Sequence, residues 1–228
     1  MSEAVMDSEA AVEPDGTAGV VNDFARDKQV FGVPWGKAMM WIFLLSDTFI
    51  FSCFLVGYMS VRIATVDPWP NPSEVFGLTA FGYDVPLLLI AIMTFVLITS
   101  SGTMAMAVNF AYRGDRKKTV WLIVATALLG ASFVGMQAFE WTKLIVDHGI
   151  RPWGNPEGAA QFGASFFMIT GFHGMHVSAG VIYLLWIARR VHVGYYEDKG
   201  YDIVEIGGLY WHFVDLVWVF IFAFFYLW

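Results

Sequence analysis

The sequence predicts an all-α integral membrane protein of five transmembrane helices, and three observations carry that prediction. Apolar residues make up 57% of the 228-residue chain and charged residues only 14%, a balance that a water-soluble core and its polar shell could hardly accommodate. Five apolar runs are each long enough to cross a hydrocarbon layer of about 30 Å, which takes roughly 20 helical residues. Lys and Arg fall mostly on one side of those runs. Arg26, Lys28, Lys37, Arg113, Arg116, Lys117, Lys118, Arg189, Arg190 and Lys199 lie on the N-terminal side, against Arg62, Lys143 and Arg151 opposite. That asymmetry predicts a cytoplasmic N-terminus and an external C-terminus.

Residues 1–34 are acidic, rich in Ala, Gly and Val, and without periodicity, which predicts a disordered or loosely adherent tail. Much of the net charge of −7 sits there, where Glu3, Asp7, Glu9, Glu13, Asp15, Asp23 and Asp27 outnumber Arg26 and Lys28. The acidic start is unlike a signal peptide, which begins basic and then turns apolar. Residues 35–228 form one membrane domain.

Its first span covers about 37–61, with Asp47 near the middle. Residues 62–83, holding Pro68, Pro70 and Pro72, predict an irregular external loop with Trp69 at the interface. The second span, about 84–111, is aliphatic until Thr99, Ser100, Ser101 and Thr103, hydroxyls that can bond along or across helices. YRGDRKK (Tyr112 to Lys118) predicts a tight basic turn into the third span, about 119–145, where Gly130, Ala131 and Gly135 predict a flat packing side. A Pro- and Gly-containing loop over 148–161 leads to the fourth span, about 163–190. A polar stretch then precedes the fifth, about 205–228. Trp35, Tyr112, Trp153, Tyr210 and Trp228 near the span ends fit interfacial belts.

No GxGxxG, phosphate-binding loop, Ser/His/Asp signature or paired CxxC occurs, and no basic surface suits a nucleic acid. A lone cysteine, Cys53, excludes an internal disulfide and reads as a small core residue. Any chemistry must therefore use polar side chains inside the membrane. Asp47 costs roughly 3 kcal/mol at a helix centre, which marks it as a proton carrier or a hydrogen-bonding anchor. His173 and His176, spaced i, i+3, share a helix face and read first as structural hydrogen-bonding groups and second as metal ligands. Gly174 and Ser178 form a small-xxx-small pair that places that face against another helix. In the fifth span His212 and Asp215 repeat the i, i+3 spacing and can bond within one helix. Gln137, Glu140 and Trp141 sit toward the outer end of the third span, where a carboxylate reaches water or a phospholipid headgroup. Trp211 and Arg113 join them as lipid or interface residues. The phenylalanines, such as Phe49, Phe51, Phe54, Phe166 and Phe167, read as lipid contact or helix packing rather than a cofactor box.

Five segments together carry a resemblance. LLSDTFIF (Leu44 to Phe51), GDRKK (Gly114 to Lys118), QAFEW (Gln137 to Trp141), TGFHGMHVSAG (Thr170 to Gly180) and YWHFVDLVWVFIF (Tyr210 to Phe222) resemble, in order, motifs of heme-copper oxidase subunit III. The likeness is to the short five-helix bacterial form. It implies helices parted into two bundles around a V-shaped, phospholipid-filled cleft, and a chain that itself carries no haem or copper. Those cofactors are implied for the catalytic subunit I, which with subunit II is the implied partner in the bacterial cytoplasmic membrane. The implied role is to support turnover and proton uptake by an oxidase that reduces O₂ to water, with a respiratory supercomplex as a further level of assembly. One departure is Asp47 after Ser46, where the family usually has a glutamate that carbodiimides label. The shorter carboxyl keeps its role only if its partner sits closer. Three alternatives remain: an accessory subunit of a nitric oxide reductase-type complex, a redox subunit ligating haem or metal through His173, His176 and His212, and an independent proton channel.

Overall fold

The computed structural model describes residues 33–71, 75–80, 83–156, 158–197 and 200–227. The expected character of residues 1–32 and the placement of Trp228 lie outside the described residues. The chain divides into two units, residues 1–39 and 40–228. Of the first, the described part is a short lead-in and the opening turn of a helix, where the Pro34 carbonyl accepts the Lys37 and Ala38 amides. Everything that follows concerns the second.

Among the described residues five helices are long and apolar enough to cross a membrane, as the composition predicts. They are α1 (Trp35–Ala64), α2 (Leu88–Tyr112), α3 (Arg116–Asp147), α4 (Ala160–His192) and α5 (Asp202–Phe222), the last continued by a π-helical turn, Ala223–Leu227. Between α1 and α2 lies a feature the sequence reading missed, an antiparallel hairpin of β1 (Gly77–Ala80) and β2 (Tyr83–Pro86), with Gly77 paired to Pro86 and Ala80 to Tyr83. The second span therefore starts at Leu88 rather than at Asp84. Pro86 lacks a donor and cannot continue a helix ladder from the N-terminal side. Leu87 then turns the chain with φ of 60°, a left-handed conformation that costs a non-glycine residue about 1–2 kcal/mol. Its carbonyl accepts the Ala91 amide and opens α2.

The turn from α2 to α3 is as tight as the sequence predicts. Gly114 supplies φ of 72°, a conformation glycine adopts without penalty. Asp115 then caps α3: its Oδ1 accepts the Lys118 amide at 3.2 Å and its Oδ2 lies 2.9 Å from Lys118 Nζ. Both contacts favour the ionised form, and the Lys118 ammonium in particular holds the Asp115 carboxyl below the usual aspartate range.

Helices α2 to α5 form a closed four-helix arrangement in which α2 meets α3 and α5, and α4 meets α3 and α5. Trp211 of α5 sits where all four converge. Its indole fills the slot left by Gly130 and Gly180, and its Nε1 donates to Ser100 Oγ at 2.9 Å. A methyl group added at Gly130 would lie 2.3 Å from the ring. Of the predicted flat side of α3, then, Gly130 alone makes the close contact; Ala131 is exposed and Gly135 faces open space. Trp218 Nε1, two turns on, donates to Thr94 Oγ1 at 3.0 Å. Indole donors bonded to helix hydroxyls let large aromatic rings enter an apolar bundle without leaving an N–H unmet.

From Met40 onward α1 meets this bundle through long side chains rather than close backbone approach. Phe51 packs against Phe172 and His176 of α4, and Tyr58 stacks near Phe225 at a centroid distance of 3.9 Å. The two-part division that the resemblance implies thus takes the form of four helices and one. Cys53, expected in the core, is exposed on α1. Helical spacing explains it, because Phe51, Leu55 and Tyr58 take the inward stripe and position 53 falls opposite.

Candidate functional site

Asp47, costly in hydrocarbon, is 4% exposed. His176 Nε2 of α4 lies 3.4 Å from its Oδ2, an ion-pair contact rather than a hydrogen bond, since Oδ2 has no hydrogen-bond partner among the described residues. His176 is fixed from its other side, since Nδ1 is 2.8 Å from the Phe172 carbonyl. A carbonyl only accepts, so Nδ1 must carry a proton. A hydrogen bond from Nε2 to Asp47 Oδ2 would form only with a further proton on the acid or the ring and a closer approach than 3.4 Å. Phe51 and Phe172 pack on the His176 ring, and Phe54 packs on both of them. Tyr210 of α5 completes the frame by donating to the His176 carbonyl at 3.0 Å. Tyr210 is therefore nearly buried rather than part of an interfacial belt. Its hydroxyl finds its partner between helices, which position near a span end does not reveal.

His173 does not share this chemistry. The i, i+3 spacing puts the two histidines on adjoining parts of α4, but 173 points into the bundle. There it is fully buried, stacked on Trp218 at 5.4 Å and edge-on to Phe133 at 5.8 Å. Neither ring nitrogen has a hydrogen-bond partner among the described residues, so the structural hydrogen bonds expected of it are replaced by aromatic packing. The expected helix contact of its neighbour is present, with Gly174 close against the Gln137 amide.

The residues expected at a lipid interface divide. Glu140 is buried, and its Oε1 accepts Tyr226 O–H at 3.0 Å. Gln137 is buried too and donates to the Thr170 carbonyl at 2.8 Å. Trp211 is the central packing residue described above. These three are corrections with one cause: each has a bonding partner on a facing helix, and that partner draws it inward. Trp141 is half-buried, packing on Phe167 and Gly171 at the edge of an open depression between α3 and α4. Arg113 is exposed at the end of α2, over the Phe110 ring at 5.7 Å.

His212 and Asp215 are not joined to each other directly. His212 Nδ1 is 2.5 Å from Ser101 Oγ on α2. His212 thus bonds to a facing helix instead of to Asp215, whose covered Oδ1 has no hydrogen-bond partner among the described residues.

Two features were not foreseen. An apolar groove of about 440 Å³ runs between α1 and α5, lined by Phe51, Leu55, Met59, Phe213, Val217 and Phe220 among others, with Thr48, Ser52 and Ser60 as its hydroxyls. Phe51 is shared between this groove and the Asp47–His176 pair. At the C-terminal end of α4 the Arg190 guanidinium lies over two rings, 4.7 Å from Trp186 and 4.4 Å from Tyr195. Runs of alternating exposed and buried aromatic residues are the signal for the first; an Arg four residues after a Trp is the signal for the second.

A family model described as cytochrome c oxidase subunit III matches residues 26–228. The chain belongs to that family. Among subunit III relatives, cytochrome c oxidase subunit 3 of Alkalihalophilus pseudofirmus is 32% identical over 194 residues, covering 82% of this chain and 84% of its own. Quinol oxidase subunit 3 of Bacillus spizizenii is 32% identical over 187 residues, with the same two coverages, 82% and 84%. Cytochrome bo(3) ubiquinol oxidase subunit 3 of Pseudomonas aeruginosa is 29% identical over 230 residues, covering 100% of this chain and 98% of its own. The chain is thus a multi-pass membrane protein and a subunit III of a cytochrome c or quinol oxidase, a component of a complex with other oxidase subunits.

Proposed function

We propose that this subunit III is a non-catalytic component of a respiratory oxidase that reduces O₂ to water, holding phospholipid and supporting the catalytic subunit and its proton uptake. Haem and copper belong to that partner, and subunit II joins the same complex. The observation that carries the reading is the apolar groove between α1 and α5 lying directly against the Asp47–His176 pair through Phe51. A groove of this length and lining suits acyl chains, and water is excluded from the acid–imidazole pair by the same wall. The pair holds one exchangeable proton between two helices, which is the form of a proton-linked element. Arg190, with its guanidinium over Trp186 and Tyr195, suits a phosphate headgroup at the cytoplasmic interface. The Lys and Arg asymmetry supports a bacterial cytoplasmic membrane with the N-terminus inside.

The rival in which His173, His176 and His212 ligate a haem or metal is not favoured by their placement. His173 lies between two aromatic rings, His176 has Nδ1 on the Phe172 carbonyl and Nε2 toward Asp47, and His212 bonds to Ser101 of α2.

Purification of the complex from its native membrane tests the reading. Haem-bearing subunits and phospholipid copurify with this chain, and the chain purified alone gives no Soret band. A Soret band from the isolated chain, or a chain that purifies without any haem-bearing partner, overturns it.

A further inference from the structure

Near its C-terminal end α3 buries a carboxyl that stands on other helices than the Asp47–His176 pair. Glu140 lies two turns before the end of α3 at Asp147, roughly 10 Å from it by the helical rise. It is buried, and its Oε1 accepts Tyr226 O–H at 3.0 Å. Its Oε2 is covered and has no hydrogen-bond partner among the described residues. A carboxylate taken out of water is tolerated only when several donors or an opposite charge replace its hydration, and here a single hydroxyl does so. The neutral acid asks for far less.

The titratable groups about Glu140 are Tyr226, which bonds to it, and Lys143, one turn on along α3. Lys143 Nζ donates to the Gly77 carbonyl rather than to the carboxyl, whose Oε2 stays without a partner. The sequence explains why that carbonyl is free to accept. Gly77 stands opposite Pro86 in the hairpin, and proline has no N–H to offer it.

The cover over the carboxyl has walls of two kinds. Leu89 and Ile90 of α2 and Leu144 of α3 are held in helices, whereas Val75, Phe76 and Gly77 belong to the short segment that leads into the hairpin. Between them is a cavity of about 10 Å³, the volume of about one water-sized sphere. Water in bulk does not pass it. Phe76 rests on the Tyr226 ring at a centroid distance of 4.6 Å, and the bond from Lys143 ties Gly77 to α3. Segments outside a helix ladder open at a lower cost than the helices beside them, so residues 75–77 are the wall that yields first.

We propose that Glu140 is a proton-binding site, held as the neutral acid, and that residues 75–77, tied down by Lys143, are the cover through which it exchanges that proton with water. A brace for Tyr226 has no need of an acid, since a glutamine at 140 would accept the same bond. An acid adds a proton that can leave when the cover lifts.

Infrared difference spectroscopy of the purified complex, moved from ordinary to heavy water, tests it. A neutral carboxyl has a carbonyl stretch that carboxylates lack and that shifts to lower frequency on deuteration. Glu140→Gln is expected to lose one such band. Lys143→Met, which unties the cover, is expected to speed deuteration of that band about tenfold, the scale set by one charge-assisted hydrogen bond. Lys143→Arg keeps a donor and is expected to hold the parent rate. Tyr226→Phe removes the hydrogen bond to Oε1 and is expected to raise the frequency of the same band, which identifies it even where Glu140→Gln fails to assemble. If no band responds to either substitution, Glu140 is ionised and the proposal falls. A band that deuterates in neither the parent nor Lys143→Met, or at the same rate in both, removes the cover and leaves Glu140 a brace alone.

Discussion

His176 reaches Asp47 across the gap between α4 and α1, Nε2 to Oδ2 at 3.4 Å, while its Nδ1 is committed to the Phe172 carbonyl at 2.8 Å. The pair is placed to exchange a proton beside the phenylalanines packed on the His176 ring. Asp47→Asn can still donate an amide N–H to Nε2 and keep α1 in place, but it cannot give up that proton. Assembly is expected to stay largely intact, while turnover of the complex changes its dependence on alkaline pH. The pH profile of oxygen consumption checks this, and an unchanged profile makes Asp47 a helix brace only.

Gly130 is expected to be the least tolerant glycine of α3. Its missing side chain is the space occupied by Trp211, so Gly130→Ala must displace a buried indole, at about 1–3 kcal/mol. Gly135→Ala, which meets nothing, is the matched control. Thermal stability of the detergent-solubilised complex distinguishes them; equal melting of the two variants would contradict the packing described.

Filling the groove should remove lipid without removing haem. Ser52→Phe with Val217→Trp puts bulk into its middle from both helices. Phospholipid per complex is expected to fall while haem per complex holds. Quantitative lipid mass spectrometry beside the visible spectrum reads both, and unchanged lipid would mean the groove is filled by something else.

Asp115→Ala should matter at neutral pH and cease to matter in acid. The folded-state pKa of Asp115 is depressed, chiefly by Lys118, so its cap is fully effective above the ordinary aspartate value of 3.8. It fades as pH falls through the lower folded-state value, where both states bind the proton. Melting of parent and Asp115→Ala compared from neutral to acid pH is expected to converge only at the acid end.

Tyr226→Phe should loosen the bundle at the C-terminal end of α5 by about 1 kcal/mol, the usual scale of one interhelical bond. Glu140→Gln keeps an acceptor for the tyrosine and should cost less. A double-mutant cycle between these two positions isolates the bond, and additive effects would show that it contributes nothing.

The sequence by itself determined the number of spans, their order and the tight turn at Gly114–Asp115. Those follow from runs of apolar residues and from local capping chemistry, which act over a few neighbours along the chain. It also marked Asp47, His176, His212 and Asp215, because polar groups in hydrocarbon stand out wherever they face. Partnership was decided only by the tertiary structure. Helical spacing says which residues share a face but not which helix that face meets. So Glu140, Gln137 and Trp211 turned inward to partners on other helices, Cys53 turned outward, and Ser101 of α2 became the partner of His212. The hairpin at residues 77–86 escaped for a related reason, since pairing of two short strands depends on register across a turn rather than on any apolar period.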